Sequence, residues 1–68
     1  MNANMLKGKI KEHNMTQEDV ANKIGISLSR FNAKLNGTDN AEFTLGEVKS
    51  MVTLFDLAPE QIDEIFFS

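Results

Sequence analysis

The chain has 68 residues and a net charge of −3, and this length fits one small domain with one modest core, which we predict over residues 1–68. The absence of cysteine and the presence of a single histidine exclude a disulfide, a thiolate metal site and a multi-histidine metal site within one chain. No apolar run approaches the roughly 18 residues of a membrane span, and the first residues lack the apolar core of a signal peptide. A cytoplasmic protein is therefore expected.

The charges are unevenly distributed along the chain. Residues 1–37 carry six basic and three acidic side chains, whereas residues 38–68 carry one basic and seven acidic side chains. The two parts therefore have formal charges of +3 and −6. This asymmetry predicts a basic working face and an acidic back. The alternative is chance combined with a need for solubility.

Apolar residues recur with helical spacing along the whole chain, and no stretch alternates with a period of two. The first helix is predicted at about residues 3–13. Gly8 weakens this helix by roughly 1 kcal/mol relative to Ala, which a close approach of another backbone would explain. His13 is interpreted as a residue that suits the helix dipole, and Asn14 as the left-handed residue that stops the helix.

The second helix, at about residues 17–24, has clear signals at both ends. Thr16 and Asp19 have the spacing of a capping box in which a carboxylate replaces the usual Glu or Gln. Gly25 ends the helix in the left-handed region, where Gly has no steric cost.

The third helix, at about residues 28–36, follows almost at once. Ser27 is its predicted N-cap, and Phe31 and Leu35 form its narrow inner stripe. Only three residues separate it from the second helix, so we expect the two to cross steeply, as in the arrangement known as helix-turn-helix.

Two further helices complete the prediction. After a polar loop at residues 37–43, Thr44 and Glu47 form a second capping box at the start of a helix at about residues 45–56. A proline suits the first position of a fifth helix, at about residues 59–66. The predicted fold class is all-α with five helices.

Three stretches of this chain resemble the phage Cro/repressor family of helix-turn-helix proteins. They are TQEDVANKIGIS at residues 16–27, Asn-Gly at residues 36–37, and TLGEVKSMVTLFDL at residues 44–57. With the fifth helix, the resemblance covers nearly the whole chain. It implies a lambda-repressor-like fold and dimers that bind operator DNA and regulate transcription.

In this motif the second of the two helices lies in the major groove. The predicted base-reading residues are Leu28, Ser29, Asn32 and Ala33. Asn can bond adenine, Ser is adaptable, and the two apolar residues can contact a thymine methyl group. The alternatives are a solvated face for Ser29 and Asn32, simple helix propensity for Ala33, and packing over the core edge near Ile24 for Leu28.

A second group of residues is predicted to contact phosphates or to flank the base readers. The resemblance implies phosphate roles for Gln17 and Asn36, while Arg30 can reach either guanine or phosphate. The alternatives are a helix start, a helix cap and a weak surface ion pair, respectively. A solvated lysine is the ordinary interpretation of each lysine. The whole group comprises Gln17, Ser27, Arg30, Lys34, Asn36, Lys7 and Lys9. Its three lysines, together with Lys11, are expected to supply nonspecific attraction to DNA.

Two features depart from the family pattern. Lys34 occupies a place where many relatives have an apolar residue, so its stem is expected to lie along the surface. Asp39 and Glu42 stand in a loop where many relatives have basic residues, and we expect weaker phosphate contacts there.

No set of residues indicates an enzyme, a cofactor or a metal site. The expected partners are double-stranded DNA and a second copy of the chain in a weak homodimer, with no small-molecule substrate. Phe66 is expected to face the core and Phe67 to point elsewhere, and both are candidate dimer contacts; a frayed terminus is the alternative. The rival function is an adaptor or antitoxin that acts through protein contacts.

Overall fold

In the computed structural model, which describes residues 1–67, the chain is all-helical and has no strand within that range. The all-α fold class and the presence of five α-helices are thus confirmed. None of these helices is long and apolar enough to cross a membrane. The helices are α1 (Ala3–Glu12), α2 (Gln17–Ile24), α3 (Leu28–Asn36), α4 (Leu45–Phe55) and α5 (Pro59–Phe66).

The helix starts follow from the predicted caps. The Thr16 hydroxyl accepts a hydrogen bond from the Asp19 N–H at 3.0 Å, and the Asp19 carboxylate accepts one from the Thr16 N–H at 2.8 Å. Thr44 and Glu47 form the same reciprocal pair at 3.1 and 2.9 Å. The Ser27 hydroxyl caps α3. All three N-caps were correctly predicted, since each depends on only a few neighbouring residues.

The helix ends depend on left-handed residues. Asn14 follows α1 with φ of 56°, Gly25 ends α2 with φ of 82°, and Gly37 ends α3 with φ of 69°. These stops are confirmed for Asn14 and Gly25. The expected close approach at Gly8 is wrong, because no atom outside its own helix lies within 4 Å of the place that a Cβ would occupy.

The helices enclose one apolar core in which α2 is central. This helix packs against both α3 and α4, while α1 packs against α5. The backbone N–H of Asn2 donates to the Ile65 carbonyl at 2.6 Å and joins the start of the chain to α5. The core consists of Leu6, Ile10, Val20, Ala21, Phe31, Leu35, Met51, Phe55, Leu57 and Ile65.

The loop after α3 is more ordered than a plain polar loop. It contains a short 3₁₀ turn at Thr38–Asn40 that the sequence analysis did not predict. Asp39 and Asn40 have φ of 55° and 57°, which Asn and Asp tolerate better than most residues.

Lys34 differs most from its expected position. Its stem does not lie along the surface, because the residue is only 7% exposed. Its Nζ donates to both carboxylate oxygens of Glu47, at 2.7 and 2.8 Å. The helical stripe of α3 turns this position inward, and a buried ammonium needs a charged partner. The ammonium of Lys34 is therefore not available to a phosphate, and the predicted phosphate contact of this residue is wrong.

Candidate nucleic-acid interface

The outer face of α3 carries most of the residues predicted to meet DNA. Phe31 is fully buried and Leu35 nearly so, which turns one side of the helix towards the core. The positions between them remain exposed or half-buried. These are Leu28, Ser29, Arg30, Asn32, Ala33 and Asn36.

Ser29 and Asn32 are neighbours on this face, because residues three apart on a helix lie side by side. Ser29 is exposed and Asn32 half-buried. Neither side chain forms a hydrogen bond with another residue of the described chain. Their donors and acceptors are thus available to an external partner, although a solvated helix face has the same properties.

Leu28 and Ala33 flank the two polar residues. Leu28 is 38% exposed and does not belong to the core cluster. Ala33 is half-buried, and its carbonyl accepts the N–H of Gly37 at the end of the helix. Both side chains can offer an apolar surface to a thymine methyl group.

Arg30 and Asn36 are both exposed. Helical geometry puts Arg30 at the flank of this face and Asn36 on the face itself, in the last turn of α3. Arg30 forms no ion pair with any residue between 1 and 67, so the surface ion pair considered for it is absent there. The Asn36 side chain likewise forms no hydrogen bond within that range, although the residue is the last of α3. Ser27 serves as the N-cap, and its hydroxyl oxygen accepts the Arg30 N–H at 3.1 Å.

Two predicted phosphate contacts and one further lysine come together at the start of α2. Gln17, Lys7 and Lys11 line one open depression of about 440 Å³, with Ile10 and Met15 among its apolar parts. The first backbone N–H groups of a helix and two ammonium groups favour an anion in such a place.

Four other charged residues affect the electrostatics of the candidate interface. Lys9 is paired with Glu12 at 3.0 Å and is less available than Lys7. Hydrogen bonds from the Thr16 backbone and hydroxyl lower the pKa of Asp19, so the first turn of α2 carries a negative charge at neutral pH. Asp39 and Glu42 are exposed after α3, as expected, and leave that loop acidic.

Sequence reasoning missed the partner of Lys34, although a signal was present. A lysine at an inward-facing position of a helix needs a carboxylate nearby. The sequence predicts only a capping-box role for Glu47, and nothing in it shows that α4 brings this residue beside α3. Phe43 also approaches α3, with its ring 5.4 Å from that of Phe31.

The candidate dimer contacts lie elsewhere on the molecule. Phe66 is half-buried and packs against the core, and Phe67 is 64% exposed, as expected. Both line a smaller depression of about 160 Å³, together with Met1, Glu42, Phe43 and Val48.

Comparisons with protein-family models, with curated proteins and with solved structures found no match to this chain. The resemblance to the Cro/repressor family therefore rests on the sequence motifs. The arrangement of side chains on α3 and at the start of α2 is the second basis for a functional proposal.

Proposed function

We propose that this protein is a lambda-repressor-like regulator of transcription that binds double-stranded DNA in the major groove through α3. The observation that carries this proposal is the outer face of α3, where polar side chains stand exposed with no partner in the described chain. A protein interior has no use for such a face, whereas a groove that displays hydrogen-bonding base edges does.

The connection between α2 and α3 supports this function. Only residues 25–27 join the two helices, and Gly25 adopts the left-handed conformation that makes so short a turn possible. The two helices pack against each other. We interpret them as a helix-turn-helix in which α3 is the reading helix.

The exposed residues of α3 have different roles in this proposal, according to the chemistry of their side chains. Ser29 and Asn32 read base edges through hydrogen bonds, and Asn32 has the geometry to contact adenine with two bonds. Leu28 and Ala33 contact thymine methyl groups. Arg30 contacts a guanine or a phosphate at the edge of the face.

The depression formed by Gln17, Lys7 and Lys11 takes a backbone phosphate. Asn36 contributes a second phosphate contact at the C-terminal end of α3. Such contacts fix the register of the protein on the duplex but carry no sequence information by themselves. Lys34 has no part in them, because its ammonium is already bound to Glu47.

A homodimer completes the proposed complex, with Phe67 and the adjoining part of Phe66 as the contact. A two-fold dimer reads a palindrome, and its half-sites lie about 34 Å apart, one turn of the duplex. Phe67 suits this role because it exposes an aromatic ring at a depression that Phe43 and Val48 also line.

Selection of bound sequences from a random duplex pool tests this function. The wild-type chain is expected to enrich a palindrome, and a matched chain that carries Ser29→Ala and Asn32→Ala is expected not to enrich it. Both changes are on the outer face of α3 and retain helix-forming residues. Failure of the wild-type chain to enrich any sequence contradicts the proposal.

The second candidate function is an adaptor or antitoxin that acts through protein contacts. The acidic second part of the chain and the exposed Phe67 favour it. The two functions differ in their response to salt. DNA binding weakens steeply as salt rises, since bound phosphates release counterions, whereas an apolar interface does not.

A further inference from the structure

Lys34 is the one buried charged side chain in the part of the chain that the structure describes. It lies in the last turn of α3, and its Nζ is within 2.8 Å of both oxygens of Glu47. The two residues belong to different helices. Among the α-helices, α3 and α4 each pack mainly against α2, so this pair is a direct polar link between them.

The carboxylate of Glu47 accepts hydrogen bonds from two different residues. Its Oε1 accepts the Thr44 N–H at 2.9 Å as part of the α4 capping box, while Lys34 binds both oxygens. Partial burial raises the pKa of Glu47, but the hydrogen bonds from Lys34 and Thr44 outweigh it and leave the pKa below its ordinary value. Lys34 therefore binds a carboxylate that also accepts a hydrogen bond from the backbone at the start of α4.

The position of Lys34 on α3 relates it to the base readers. It follows Asn32 by two residues, which is about 200° around a helix of 3.6 residues per turn. The ion pair thus holds the side of α3 opposite to Asn32. Hydrogen bonds weaken steeply away from their preferred distance and angle, whereas apolar burial is non-directional. The pair therefore favours one orientation of α3 against α4.

We infer that Lys34 and Glu47 are positioning residues, which set the rotation of α3 so that Ser29 and Asn32 meet the bases in register. This inference rests on the proposed DNA-binding function. It assigns the ion pair to sequence discrimination as well as to folding, because a well-packed apolar pair can match the stability of a buried ion pair.

A double variant, Lys34→Met with Glu47→Gln, tests the inference. It removes both charges and retains the long side chain in α3, and Gln keeps the capping box of α4. Lys34→Met alone leaves a carboxylate without its cation and is expected to unfold the chain. Binding is measured to the duplex enriched by the wild-type chain and to a scrambled duplex, at one salt concentration, with thermal unfolding of each chain.

The double variant is expected to bind the scrambled duplex within twofold of the wild-type chain and to lose at least tenfold in preference for the enriched duplex. Thr44→Ala is the matched control, since it weakens the α4 cap and leaves Lys34 and Glu47 in place. It is expected to lower the unfolding temperature without changing the preference. An unchanged preference in the double variant overturns the inference.

Hydrogen exchange of backbone amides separates this inference from the proposed function. The double variant is expected to exchange at least fivefold faster than the wild-type chain in α3, with α1 unchanged. If the wild-type chain enriches no duplex, the proposed function fails, and the exchange rates alone then decide whether the ion pair restrains α3. Equal exchange in α3 overturns that restraint. A double variant that does not fold overturns the premise that an apolar pair can replace the ion pair, on which the inference depends.

Discussion

At the scale of single residues, Asn32 is the most informative position of the candidate interface. Its amide can donate to and accept from one adenine, so Asn32→Ala is expected to cost about 1–3 kcal/mol for the base that it reads. Binding to a panel of single-base operator variants measures this loss. Discrimination that stays the same across the panel would show that Asn32 reads no base.

Gln17 provides a contrasting residue, since it is proposed to contact phosphate. Gln17→Ala is expected to weaken binding to every duplex by a similar factor, because phosphates are the same in all sequences. The same panel of operator variants measures this effect. A loss confined to one operator would count against a phosphate contact.

Glu47 predicts how stability depends on pH. Its pKa is lowered from the ordinary value of 4.5, so the folded chain binds this proton less well than the unfolded chain does. Its contribution to stability is therefore fully present above about pH 4.5 and is lost as the pH falls through the lowered value. The double variant Lys34→Met with Glu47→Gln, which leaves neither charge unpaired, is expected to flatten the fall of the unfolding temperature between pH 5 and pH 3. An unchanged slope would contradict this pKa shift.

At the scale of elements, the sequence was sufficient for the five α-helices and for three of their N-caps, but not for the Asn2 cap of α1 or the 3₁₀ turn. Thr16, Ser27 and Thr44 were identified as N-caps because each signal lies within three or four residues of the chain. The inner stripe of α3 followed in the same way from the spacing of Phe31 and Leu35. These properties depend on neighbouring residues only, so they can be predicted from a single sequence.

The contacts between elements were not predictable in the same way. The pairing of Lys34 with Glu47, and the meeting of Gln17 with Lys7 and Lys11, each join two helices. Their formation depends on how the helices pack, which spacing within one helix does not determine. The outer face of α3 was thus predictable, whereas the depression between α1 and the start of α2 was not.

The turn between α2 and α3 gives a prediction about backbone conformation. Gly25 has φ of 82°, and no atom lies within 4 Å of the position of an added Cβ, so the cost of Gly25→Ala is conformational. We expect this change to destabilise the fold by about 1–2 kcal/mol. Chemical denaturation measures the free energy of unfolding.

Gly8→Ala is the matched control for that prediction. Gly8 also has open space around its Cβ position, but it lies inside α1 with no positive φ. Ala is the better helix former there, so the change is expected to stabilise the fold by about 0.5–1 kcal/mol. Shifts of the same sign in the two variants would contradict the conformational role of Gly25.

At the scale of the whole molecule, the acidic second part of the chain affects self-association. The depression at Phe67 is also lined by Glu42. Self-association through this surface would bring like charges together, and salt screens such charges. Phe67→Ser is expected to abolish dimerisation in sedimentation experiments without lowering the unfolding temperature, because the ring is largely exposed. An undiminished dimer would place the contact elsewhere.

The most direct test of DNA reading by α3 is a titration of the isotopically labelled chain with a mixed-sequence duplex at low salt, followed by backbone amide shifts. The proposal predicts that the largest shifts occur in α3 and at the start of α2, around Ser29, Asn32 and Gln17, and that they diminish as salt is added. An absence of shifts, or shifts confined to the surface around Phe67, would contradict it.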